Sequence, residues 1–204
     1  TASAGGSASG SRVWKFDHTS PTVSLNVSGG DLQNGWYRQV VDVFADASDN
    51  ASGIASVQYQ ADGGAWQSGN SLRTEDDGTH TIAFRATDNA GHIVTEGVTF
   101  SIDLTPPTVT PAIPTSGGLN GWYVSNPTIP LSALDTLSGI DPGSLEYRWN
   151  SLDWTAGASV TVSQDGTHIV EARANDLAGN TGETAFDVRV DTVAPTLEIT
   201  VTSD

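Results

Sequence analysis

The chain repeats itself, and the repeat constrains its architecture more than any local pattern does. Asn34-Gly35-Trp36-Tyr37 recurs as Asn120-Gly121-Trp122-Tyr123, and Asp49, Ser52, Gly53 and Ile54 recur as Asp135, Ser138, Gly139 and Ile140. After an insertion around Asp141 to Ser144 the offset grows by two residues. It then pairs Tyr59 with Tyr147, Trp66 with Trp154, Asp77-Gly78-Thr79-His80 with Asp165-Gly166-Thr167-His168, and Arg85 with Arg173. Asp88, Ala90 and Gly91 match Asp176, Ala178 and Gly179 in the same register. A unit this short, repeated in tandem, implies two small domains rather than one large one.

The joints repeat as well. Asp17 with Pro21-Thr22, Asp103 with Pro107-Thr108 and Asp191 with Pro195-Thr196 share one spacing. The expected organisation is module 1 over 20–105 and module 2 over 106–193. Residues 1–19 are then the last hairpin of a preceding module or a linker, and 194–204 the first strand of a following module or a tail. Gly5-Gly6-Ser7 favours the linker alternative for the N-terminal stretch.

Within a module the apolar residues alternate over short segments bounded by Gly, Asp, Asn and Pro, the signature of strands. Val23, Leu25 and Val27 form one; Val41, Val43 and Ala45 a second; Ala55, Val57 and Tyr59 a third. Thr81 to Ala86 and Val94 to Ile102 supply two long strands, and weaker ones fit near Ala65-Trp66 and Ser71-Leu72. Asp62-Gly63-Gly64 reads as a hairpin turn, because Gly tolerates positive φ. With 22 Gly, 9 Pro and no long helix-forming run, the chain is expected to be all-β, as tandem immunoglobulin-like β-sandwiches.

Composition removes several functions. Twenty-four acidic residues against eight basic ones give a net charge of −16, which repels nucleic acid and anionic lipid. No apolar run is long enough for a membrane-spanning helix, so no membrane insertion is expected within this segment. The chain has no cysteine, which excludes disulfides and thiolate metal sites. Lys15 is its only lysine, so neither complete module can form a lysine isopeptide crosslink.

The strings Tyr59 to Trp66, Asp77-Gly78-Thr79-His80, Arg85 to Gly91 and Asp103 to Thr108 resemble bacterial Ig-like repeats. They are most similar to those described as OmpL47-type, found on surface proteins and in accessory parts of secreted glycosidases. The second copy departs from the first at Asn175 and Leu177, where the first has Thr87 and Asn89. The resemblance implies a secreted or cell-surface location, with any export signal or anchor outside this segment. It also implies adjacent modules of the same parent chain as partners, and carbohydrate or a surface protein as further ones.

In a sandwich of this kind the loop after the second strand and the hairpin before the last lie at the end where the linker arrives. Asp17, Asp49 and Asp88 should therefore converge at one joint, and Asp103, Asp135 and Asp176 at the next. Three carboxylates with neighbouring carbonyls suit Ca²⁺, an arrangement analogous to cadherin linkers, with Asp46, Asn50, Ser52, Asn89 and Asn180 as further oxygen donors. The alternative is that each Asp only accepts backbone N–H bonds in an Asx-turn, a requirement that would repeat just as faithfully.

Six tryptophans raise a second binding mode, since exposed rings stack on sugars. Matched positions favour packing for Trp36, Trp122, Trp66 and Trp154. Trp14 and Trp149 are unmatched, and with Trp154 they make up the candidate ligand-facing patch. Catalysis is not expected: His80 and His168 sit at one register position ahead of a strand, and no nucleophile elbow, HExxH or phosphate loop is present. The reading from sequence is a non-catalytic spacer or stalk needing no cofactor, with Ca²⁺ stiffening its joints. A carbohydrate-binding or surface-assembly module is the alternative.

Overall fold

The computed structural model describes residues 13–201, and it is all-β. The first sequence repeat contributes β1 (Thr22–Gly29), β2 (Leu32–Gln33), β3 (Trp36–Tyr37), β4 (Val41–Ser48), β5 (Ile54–Ala61), β6 (Gln67–Ser68), β7 (Ser71–Thr74), β8 (Gly78–Asp88) and β9 (Ile93–Ile102). The second contributes β10 (Thr108–Pro111), β11 (Trp122–Tyr123), β12 (Thr128–Leu134), β13 (Glu146–Trp149), β14 (Thr155–Ala156), β15 (Ser159–Thr161), β16 (Gly166–Asn175) and β17 (Thr181–Val190), with a single 3₁₀ turn at Leu119–Gly121.

The chain forms two compact units. Among the described residues the first comprises 13–28, Asp42–Arg73 and Thr81–Thr99; the second comprises Gly29–Val41, Thr74–His80 and 100–201. In the first unit β1, β4 and β7 make one sheet and β9, β8, β5 and β6 the other. Alternation places one face inward: β4 buries Val43 and Ala45, and β8 buries Ile82, Phe84 and Ala86. The Asp62-Gly63 turn forms as expected, with φ of 48° and 72° and a Gly64 N–H bond to the Ala61 carbonyl at 2.8 Å. Both central φ values are positive, as the right-handed twist of a tight hairpin demands.

The second unit holds a complete sandwich, β10-β12-β15 over β11-β17-β16-β13-β14. Both sheets feed one core, with Val109 from β10, Ile129 and Leu131 from β12, Val160 from β15, Val170, Ala172 and Ala174 from β16, and Val188 and Val190 from β17. Gly182 is required there, since a Cβ at that position would lie 1.7 Å from the Pro107 carbonyl oxygen.

The short strands are the part that alternation does not announce. β3 pairs in parallel with the end of β9, Trp36 with Ser101 and Tyr37 with Ile102, and β11 pairs likewise with β17, Trp122 with Arg189 and Tyr123 with Val190. The repeated Asn-Gly-Trp-Tyr string is thus a turn followed by a two-residue strand that fastens the last strand of its repeat. Residues 191–201 belong to no strand, and residues 1–12, where the expected N-terminal hairpin or linker falls, lie outside the described residues.

Candidate functional site: the two aspartate clusters

Each candidate cluster is held within one unit. In the second, single oxygens of Asp103, Asp135 and Asp176 lie within 4.8 Å of one another, the convergence expected from the repeat. Asp103 is fully buried; its Oδ1 accepts the Thr105 N–H (3.0 Å) and its Oδ2 the Ser138 N–H (3.0 Å). Asp135 Oδ1 accepts the N–H groups of Leu137 (3.0 Å) and Gly139 (2.8 Å). Asp176, also fully buried, accepts the Asn180 N–H at Oδ1 and the Asn180 side-chain amide at Oδ2, both at 2.8 Å. The same Asn180 amide donates to the Asp103 carbonyl at 2.9 Å. These N–H donors offset the mutual repulsion of three close carboxylates.

The first unit differs. Here Asp17 and Asp88 share the 4.8 Å group with His92, and Asp49 lies outside it. Asp49 remains attached, because the Ser52 N–H is shared between Asp17 Oδ2 (3.1 Å) and Asp49 Oδ1 (2.8 Å). Asp88 Oδ1 accepts the N–H groups of Ala90, Gly91 and His92, and its Oδ2 lies 2.8 Å from His92 Nδ1. The first set includes a histidine nitrogen where the second has a third carboxylate, Asp135, so the all-oxygen set is the one suited to a hard cation.

Electrostatics follow from these contacts. The Ser52 and Thr19 side chains, with their backbone N–H groups, hold Asp17 well below the usual carboxylate range. Burial pushes Asp88 up, but bonds from the His92 ring and from the N–H groups of His92, Gly91 and Ala90 outweigh it and leave Asp88 lowered. His92 is raised, chiefly by its bond to Asp88 and against its own burial, with help from the charges of Asp88, Asp17 and Asp49.

Of the further oxygen donors, Asn89 gives its amide to the Ser52 and Gly53 carbonyls, and Asp46 and Asn50 are exposed. His92 is the member that the sequence reading missed. Its signal was its register with Asn180, the fifth residue of each hairpin.

The tryptophans separate. Trp14 is 73% exposed. Trp149 packs on the core and meets His168 edge-on at 5.0 Å, whereas Trp154 lies with Arg148 on the other face of that sheet. Alternation along β13 forces this, since Tyr147 and Trp149 point inward and Arg148 outward. Trp149 and Trp154 therefore do not form one patch. Trp154 is stacked by the guanidinium groups of Arg148 (4.5 Å) and Arg173 (4.0 Å), and its counterpart Trp66, among the described residues, by Arg85 alone (4.3 Å). Arg148 also bonds Glu171 and holds that carboxyl below its ordinary range. His168 is engaged structurally, its Nδ1 accepting from Asn150 and its Nε2 donating to the Gln164 carbonyl.

No family model matches the chain, and no curated protein does. Solved structures similar to it include the PKD1 domain of Vibrio anguillarum Epp, at 16% identity and a TM-score of 0.36, covering 44% of this chain and all of that one. The fibronectin(III)-like modules of Clostridium thermocellum CbhA match at 9% identity and 0.37, covering 87% of this chain and all of theirs. A 1.5-MDa bacterial ice-binding adhesin matches at 20% and 0.38, covering 87% of this chain and 67% of that one. At TM-scores of 0.36 to 0.38 none of them bears on function. The topology itself makes this chain an all-β protein of Ig-like sandwiches.

Proposed function

We propose that the chain is a non-catalytic spacer from an extracellular bacterial repeat protein of the OmpL47-like kind, secreted or surface-held, with modules over 20–105 and 106–193. The observation that carries this reading lies within the second unit, where the end of the first repeat is built into the second. Asn34 Nδ2 donates to the Leu177 carbonyl (2.9 Å), Arg38 to the Gly179 carbonyl (2.6 Å), and Asn180 to that of Asp103. A joint sealed by side-chain bonds to backbone carbonyls suits a part that keeps two neighbours at a set spacing, since such bonds tolerate little rotation. Proline at 106 and 107 restricts the chain just beyond it. Residual dipolar couplings test the reading within the second unit: amides of Gly29–Val41 and of the second module should fit one alignment tensor, and two independent tensors would sink it.

A second reading, Ca²⁺ stiffening of the joint, is favoured by the approach of Asp103, Asp135 and Asp176. Thermal unfolding in EDTA, Ca²⁺ and Mg²⁺ separates it from simple turn formation. Ca²⁺ at about 100 times its Kd should add about 2.7 kcal/mol, and Asp135→Ala should remove the gain. An unchanged midpoint leaves the aspartates as acceptors for backbone N–H groups.

A further inference from the structure

The Asn-Gly turn occurs twice with like backbone angles, φ of 49° and 87° at Asn34 and Gly35 and of 54° and 78° at Asn120 and Gly121. The first is seated on the Asp176–Asn180 hairpin, and Ala178 there is fully buried. In the first unit the residues in register with Leu177 and Ala178, Asn89 and Ala90, are exposed. An open hollow of about 680 Å³ lies against them, lined also by Lys15, Phe16 and Ser52. The second unit carries the opposite half. Leu119 is 85% and Val124 58% exposed beside a hollow of about 460 Å³ that Asp191 and Val193 also line.

The linker half is already set at that end. Asp191 N–H donates to the Tyr123 carbonyl (2.9 Å), Thr192 N–H to Asp165 (2.9 Å) and Val193 N–H to Asp191 Oδ1 (3.1 Å). These reproduce the bonds from Asp103 to Tyr37, Leu104 to Asp77 and Thr105 to Asp103. We infer that the two faces are complementary halves of one contact: the loop end of the first unit receives the Leu119–Val124 hairpin and Asp191 of a second copy of this chain. The inference rests on the spacer reading. In that contact Asn120 donates to the Asn89 carbonyl, and Asp191 displaces the receiving copy's own Asp17, which accepts the Ser52 N–H at 3.1 Å in the single chain. Leu119 and Val124, which stand where the first hairpin has Gln33 and Arg38, cover Ala90 with apolar surface instead of repeating the Arg38 bond.

The test joins two copies in register, residues 1–191 followed by residues 18–204, so that Asp191 stands for Asp17. Because the chain has no cysteine, spin labels can be placed on introduced cysteines at Ile169 of the leading copy and Phe44 of the trailing one. The pair Leu32 and Ile169 in the single chain serves as the reference, and all three sites are exposed. Pulsed dipolar spectroscopy should give a distance distribution as narrow for the join as for the reference. It should broaden with Leu119→Asp or with a flexible Gly-Ser insertion after Asp191. A join as broad as the Gly-Ser version, beside a narrow reference, overturns this inference and leaves the spacer reading standing. A broad reference overturns both.

Discussion

The loop ends of the two units are near copies that differ in one member and in what covers them. Where the Asp176–Asn180 hairpin is covered, the fifth residue is a neutral amide that bridges the Asp176 carboxylate and the Asp103 carbonyl. Where the Asp88–His92 hairpin is open, that residue is a titratable ring paired with Asp88. Burial explains the choice. An imidazolium enclosed among fully buried groups would lose its hydration, whereas an amide satisfies both oxygens without charge. At the open end solvent carries part of that cost, and the ion pair survives.

The largest effect should come from the covered end. Asp103→Ala strands the Ser138 and Thr105 N–H groups and should cost about 3 kcal/mol in urea denaturation, against about 1 for Asp17→Ala, where water can replace the carboxylate. Equal losses would break the comparison. Next, Asn180→His should cost about 2 kcal/mol, since the ring cannot donate to both oxygens from one atom, while the reciprocal His92→Asn should change stability by less than about 1.

A smaller contrast lies on the sheet faces. Trp154→Ala loses two guanidinium stacks and Trp66→Ala one, a difference of about 0.5–1 kcal/mol in paired melts. Smallest is the pH term. His92 is raised above its ordinary 6.5, so its contribution is complete below that value and is lost as pH rises through the higher folded value. Asp88 is lowered below 3.8, so its share holds above that value and is lost as pH falls through the lower folded one. The first unit should therefore be most stable between about pH 4 and 6.5, and His92→Asn should flatten the alkaline decline.

The sandwich strands were legible because one buried face imposes a period of two, and β1, β4, β5, β8 and β9 fall where Val23, Val41, Val57, Ile82 and Phe100 alternate. β6 begins one residue beyond Trp66. The hairpin of β2 and β3 was not foreseen, although Asn34-Gly35 is a strong local turn signal, because strands of two residues carry no alternation. The convergence of Asp103, Asp135 and Asp176 was readable from repetition plus topology. His92 was not, since a histidine and an asparagine match only by position, and Trp149 was misplaced because proximity to Trp154 in sequence hid the opposite faces of β13.

The two-residue strands also bear on how the molecule would respond to being pulled. Because β3 runs parallel to the end of β9 and the Asp103 N–H is bonded to Tyr37, tension entering at Asp103 runs along the strand, across its hydrogen bonds. The bonds are then sheared together instead of unzipped one by one. Asp191 and Tyr123 repeat the arrangement, so the second unit holds two such clamps, one at the end of each repeat.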